Sequence, residues 1–278
     1  MRSSNPVFSR RGFSRENGYA GFQGAQQQPV PGNPYANNPY AQPQTAGQPY
    51  GVPQAPQQTG RMTIDDVVTR TGMTVGLVVV MAAVAWITDL SLGLAIGAGL
   101  VAMVLGFVQA FKRKASPPLI LAYAAFEGLF LGAISSFIDS QIANGAAMQA
   151  VLGTMAVFTA VLIMYKTRII RVTQRFYRFV MAAAIGFVLL MGVNLLFAVF
   201  GGGDGLGFRS GGLGILFGIV GICLGALFLA LDFKQVEDGV AYGAPREESW
   251  LAAFGLTMTL VWIYMEFLRL IAILQGGD

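Results

Sequence analysis

A chain of 278 residues that is 54% hydrophobic and only 12% charged cannot cover a soluble fold with polar surface, because soluble domains carry roughly 25% charged residues. Histidine is absent and Cys223 is the single cysteine, which excludes a disulfide framework and a cysteine zinc site and removes the usual catalytic base at neutral pH. The net charge of +4 sits in basic loops and reads as membrane topology, so neither nucleic acid, a metal nor a cofactor is expected.

Residues 1–60 differ in composition from everything that follows. They hold nine of the twelve prolines and ten glutamines, and Asn33-Pro34-Tyr35-Ala36, Asn38-Pro39-Tyr40-Ala41 and Gln48-Pro49-Tyr50-Gly51 make a crude repeat. Such a segment cannot bury enough apolar area to offset its ordering entropy, so a disordered tail is expected. It is read as a solvated tail, with a docking role for the spaced tyrosines as the sharper alternative. Ser9-Arg10-Arg11-Gly12-Phe13 has the look of a twin-arginine export signal, but the next apolar stretch begins only near Met73.

The remaining residues, 61–278, form seven apolar runs set off by charges, glycine or proline: 73–88, 90–111, 117–138, 147–165, 179–200, 211–231 and 249–274. Most approach the ~20 residues needed to cross ~30 Å of hydrocarbon. The first is short and is expected to borrow Val67-Val68 or Leu90. Backbone groups in lipid must be satisfied within the segment, and barrel-type alternation is absent, so the expectation is an all-α bundle of seven transmembrane helices.

Lysine and arginine give the orientation. Six lie in the chain up to Arg70, three in Lys112-Arg113-Lys114, five in the fourth connection (Lys166, Arg168, Arg171, Arg175, Arg178), and Lys234 and Arg246 lie in the sixth. Arg209 stands alone on the other side. This asymmetry predicts a multi-pass plasma-membrane protein with its N-terminus in the cytoplasm and its C-terminus outside.

Embedded charges cost at least ~2.5 kcal/mol each on insertion scales, so each needs a partner or a task. The candidates are Glu127, Asp232 and Glu266, with Arg269 as the one embedded base. Gly214, Gly218, Gly221 and Gly225 make a small-residue stripe on the sixth helix, read as a packing surface. Asp232 falls about 20° off that stripe at ~100° per residue, so it points into the bundle near the cytoplasmic mouth. Gly128 with Gly132, and Gly93 with Gly97, are similar close-contact spacings, and Cys223 is expected to be a buried small hydrophobe. Glu266 and Arg269 stand at i, i+3 and are read as an ion pair, structural or gating. Asp232 and Glu127 have no base at their depth and are read as proton-sensing or ion-pathway residues.

Phe126-Glu127-Gly128-Leu129-Phe130-Leu131-Gly132, Leu231-Asp232-Phe233 and Phe267-Leu268-Arg269-Leu270, in this order across seven helices, resemble the Bax inhibitor-1/YccA (TMBIM) family over residues 65–274. The resemblance implies a membrane protein whose bacterial members include a pH-sensitive calcium leak and a protein that restrains a membrane-bound ATP-dependent protease. It also implies a sensor pair of aspartates in the sixth and seventh helices. Asp232 matches the first, and Thr259 stands where the second would fall. A threonine cannot share a proton as a carboxylate does, though its hydroxyl can hydrogen-bond Asp232, and Glu127 is the better-placed carboxylate for a rebuilt sensor.

Two functions are therefore expected to compete: a pH-sensitive calcium or proton leak, and a non-conducting regulator of a membrane protease or other complex. Catalysis is not expected. Gly201-Gly202-Gly203-Asp204 formally matches an intramembrane aspartyl-protease motif, but no second aspartate shares the proton.

Overall fold

The structure, a computed structural model, describes residues 60–276 apart from 113, 202–207 and 209. The expected disordered tail, the Gly202–Asp204 motif and Arg209 lie outside the described residues.

Among the described residues there are seven helices: α1 (Ile64–Ile87), α2 (Leu92–Phe111), α3 (Pro117–Gln141), α4 (Ala146–Lys166), α5 (Gln174–Gly201), α6 (Gly211–Ala241) and α7 (Glu248–Gly276). Each is long and apolar enough to cross a membrane. The chain is thus an all-α, polytopic integral membrane protein.

Several helices run beyond their apolar runs, for local reasons. α1 begins nine residues before Met73, because Thr63 and Asp66 close a reciprocal capping box and Asp65 and Asp66 favour the positive end of the helix dipole. α3 starts where Pro117 and Pro118 fill the first turn, whose amides have no partner in any case. α6 continues ten residues past Leu231. Its polar extension is held by Lys234, which pairs with Asp238 at 2.8 Å and Glu237 at 3.7 Å across one helical turn. Asp232 therefore lies within a helix and not at its end. The turn after α6 is made by Gly243 at φ 70°, a conformation open to glycine.

α7 is the central helix, packed against α6, α4, α1 and α3, whereas among the described residues the α5 backbone comes close to α6 only and reaches α7 through side chains such as Phe187. The small residues decide how near the helices come. A Cβ at Gly128 would lie 2.5 Å from the Val78 carbonyl oxygen, and one at Gly132 would meet the Ala82 carbonyl, so α1 lies against the α3 backbone. Along α6, a Cβ at Gly225 would lie 2.5 Å from Ile263, one at Gly221 2.8 Å from Glu266, and one at Gly218 3.3 Å from Leu270. The glycine stripe is the groove that receives α7.

Two sequence expectations are corrected. A Cβ at Gly93 or Gly97 would meet no neighbouring helix within 4 Å, and the packed face of α2 is instead Ala95, Ala98, Ala102 and Gly106. A spacing of four does not say which of several small-residue stripes on one helix meets a neighbour. Cys223 is exposed, on the side of α6 away from its buried Gly221, Leu224 and Gly225. An apolar run in lipid has apolar residues on both faces, so hydropathy could not locate it.

At the end of the bundle where α1 begins, hereafter the entry end, residues 60–63 lie along the α6–α7 connection. Met62 donates to the Ala244 carbonyl and Arg246 to the Gly60 carbonyl, each at 2.8 Å. Arg246 also pairs with Asp66 at 2.8 Å. The Arg70 guanidinium reaches from α1 to the Arg246 carbonyl at 2.5 Å and to the Ser249 hydroxyl, and lies 5.1 Å over the Trp250 ring. α1 is thus tied directly to the start of α7.

Candidate functional site

Asp232 and Thr259 face each other across the seam between α6 and α7. The Thr259 hydroxyl donates to Asp232 Oδ2 at 2.6 Å, and the other carboxylate oxygen is 3.7 Å from where a Cβ on Gly255 would stand. Gly255 and Thr259 are one turn apart, so both lie on the face of α7 that meets Asp232, and a methyl group at Gly255 would touch the carboxylate without a clash. Both Asp232 and Thr259 are half-buried.

One turn further along α7, Ile263 is fully buried and fills the hollow at Gly225. Trp262 beside it donates to the Gly221 carbonyl at 3.3 Å. Another turn on, Arg269 Nη2 donates to Glu266 Oε2 at 2.5 Å, with side chains only 14% and 12% exposed. Gly218 and Gly221 leave room on α6 for this pair. Thr259 and Glu266 are seven residues apart, hence on one face of α7 and about 10 Å apart along it. The order along the seam is carboxylate and hydroxyl, apolar plug, then ion pair.

Beyond the plug, the space between α5 and α7 forms a cavity of about 750 Å³ lined by Phe187, Met191, Asn194, Ser210, Trp262 and Glu266 among others. Phe187 spans it to Trp262 at 5.9 Å between ring centroids. The buried Asn194 amide oxygen accepts from the Phe208 backbone at 3.4 Å.

Glu127 is elsewhere. It is half-buried on α3, a helix not packed on α6, and no hydrogen bond joins it to Asp232. The structure brings Thr259 to Asp232 and leaves Glu127 apart.

Sequence reasoning missed two hydroxyl pairs that fasten α7 from its other sides. Thr257 Oγ1 and Thr74 Oγ1 meet at 2.8 Å between α7 and α1, both almost wholly buried. Tyr264 and Ser135 meet at 2.6 Å between α7 and α3. Thr257 is two residues before Thr259, about 200° around the helix, so the two threonines necessarily face different neighbours. A threonine in an apolar run is a weak signal, because its hydroxyl is also satisfied by its own helix, as Thr257 is by the Ala253 carbonyl at 2.7 Å.

The family model for Bax inhibitor 1 like proteins matches residues 5–276. The chain belongs to the Bax inhibitor 1 like family. The match reaches to residue 5, so it takes in the N-terminal tail, which the sequence resemblance over 65–274 had left out. No individual curated protein matches the chain. Within this Bax inhibitor 1 like protein, the seam carries the embedded Asp232, Glu266 and Arg269 together, and α6 and α7 are the helices that position them.

Proposed function

We propose that the α6–α7 seam is a gated leak pathway for protons or calcium, with Asp232 and Thr259 as the cytoplasmic gate. The observation that carries this reading is the order of groups along one seam. A carboxylate held by a hydroxyl and an embedded ion pair stand about 10 Å apart, with a single apolar plug, Ile263 on Gly225, between them. Embedded carboxylates facing a helix seam mark ion and proton routes, and apolar constrictions gate by excluding water.

In the closed state the Thr259 hydroxyl occupies one oxygen of Asp232 and draws α6 to α7. A change of protonation or a cation at Asp232 competes with that bond, and the seam parts at Ile263. The cavity beside Glu266 then serves as the outer vestibule. Calcium takes six to eight oxygens, far more than Asp232 and Thr259 offer, so a calcium ion here keeps most of its water and passes on. One carboxylate in place of a pair makes the site a weak and transient one. Glu127 has no part in this gate.

The same reading puts the N-terminus and the Asp232 end in the cytoplasm and the C-terminus outside the plasma membrane, on the strength of the sixteen lysines and arginines that the alternation of helices assigns to the entry end. It assigns the protein no enzymatic step.

In sealed vesicles, the reconstituted wild-type protein should pass calcium or protons at a rate that varies with pH. Asp232→Asn should abolish the variation. Flux no greater than in empty vesicles would overturn the leak reading and leave the alternative, a non-conducting regulator of a membrane protease. That alternative makes its own demand, a protein partner that copurifies with the full chain.

A further inference from the structure

The end of α4, the connection that follows and the first turns of α5 carry Lys166, Arg168, Arg171, Arg175 and Arg178, with no aspartate or glutamate between residues 166 and 178. All five are exposed. Among the described residues, none of them has a carboxylate within ion-pair distance, unlike Arg246 and Lys234 at the same end of the bundle. There Arg246 pairs with Asp66, and Lys234 with Asp238 and Glu237. Acidic groups are thus present at this end, and the 166–178 segment makes no use of them.

The segment is nevertheless a built element. Arg168 turns the chain at φ 59°, with its amide on the Tyr165 carbonyl at 3.0 Å and that of Ile170 on the Met164 carbonyl at 3.2 Å. Ile170, Val172 and Phe176 pack into the core cluster formed by Val161, Leu229 and Leu256. The residues between them point the other way. Ile169 is 70% exposed and lies in sequence beside Arg168 and Arg171. Apolar anchors fix one side of the segment, and the opposite side offers guanidinium groups with an apolar side chain among them.

We propose that residues 166–178 form a docking platform for anionic phospholipid headgroups of the leaflet at the entry end. Guanidinium groups pair bidentately with phosphate oxygens, and lysine and arginine just outside a membrane helix are drawn to an anionic leaflet. The segment joins two membrane-spanning helices, so its cations stand at headgroup level, and Ile169 is placed to enter the acyl boundary. The partner is therefore a lipid surface in preference to a free phosphate.

The test uses the full chain in nanodiscs of phosphatidylcholine doped with phosphatidylglycerol, with native mass spectrometry counting the lipids retained. The wild type should retain phosphatidylglycerol preferentially, and less so as salt rises. The variant R168Q/R171Q/R175Q/R178Q should lose at least about tenfold of that preference, since each cation near the surface contributes roughly fivefold. The charge-preserving variant R168K/R171K/R175K/R178K should keep most of it. An unchanged preference in the glutamine variant would overturn the proposal, as would an equal loss in the lysine variant. Should the glutamine variant fail to fold, the wild type still decides. A preference insensitive to salt, or abolished by inorganic phosphate at matched concentration and ionic strength, would refute a lipid platform.

Discussion

Thr259 holds Asp232 at the end of a seam where the α6 glycines let α7 approach closely, so the bond depends on how the two helices are seated. Removing the hydroxyl by Thr259→Val should cost about 1 kcal/mol, the usual scale of an interhelical hydrogen bond in a membrane, and should appear as a lower melting temperature in detergent. Thr259→Asp should move the pH response of flux to higher pH, because two carboxylates so close cannot both ionise readily. An unaltered pH profile in that variant would separate Thr259 from the gate. The Glu266–Arg269 pair behaves differently. It is largely buried, so Glu266→Gln leaves an arginine short of its anionic partner and should cost about 3 kcal/mol, read as a lower thermal midpoint. Its i, i+3 spacing was legible in the sequence, whereas the partner of Asp232 could be read only as a choice between a threonine and a glutamate. Which of those side chains lies across the seam depends on helix neighbours, and a linear pattern does not hold that information.

At the scale of elements, glycines act through the helix that faces them. Gly132→Leu should disrupt the α1–α3 contact and lower the melting temperature sharply, because its Cβ would run into the Ala82 backbone, which cannot move aside as a side chain can. Gly93→Leu should leave the melting temperature unchanged or raise it slightly, since nothing stands near it and leucine is the better helix former. Equal effects at the two sites would contradict the packing described here. The two glycine pairs have the same spacing of four within apolar helices, so spacing does not tell them apart and the fold does. The length of α6 shows a second limit. Hydropathy stops it at the first charge, but the hydrogen-bonded ladder continues wherever charged residues satisfy one another along the helix, as Lys234, Glu237 and Asp238 do.

For the whole molecule, the proposed topology of seven crossings sets the two termini on opposite faces of the membrane. With a Cys223→Ser background and single cysteines introduced by Ser4→Cys and Gln275→Cys, a membrane-impermeant maleimide applied to intact cells should label Cys at 275 and not at 4. The reverse pattern would invert the proposed orientation and place the Asp232 gate outside. The ties between residues 60–63, Arg70 and the α6–α7 connection give the entry end a further role. They hold α1 to the helix that carries Thr259, so Arg70→Ala should both lower the melting temperature and raise the resting leak. A leak unchanged in a folded Arg70→Ala protein would confine that arginine to packing.

The sequence by itself determined that this chain lies in a membrane, how many helices cross it, and which residues are charged within them. Those properties follow from the transfer free energy of each segment, which depends on composition and length alone. It also determined that the α6 glycines and Asp232 share a face, because helical periodicity converts spacing into angle. Only the tertiary structure decided that α7 fills the α6 groove, that Thr259 and not Glu127 meets Asp232, and that Cys223, Gly93 and Gly97 look outward. In lipid both sides of a helix are apolar, so hydrophobicity cannot choose between them. Shape and a few buried hydroxyls make that choice, and these act only once helices distant in sequence have come together.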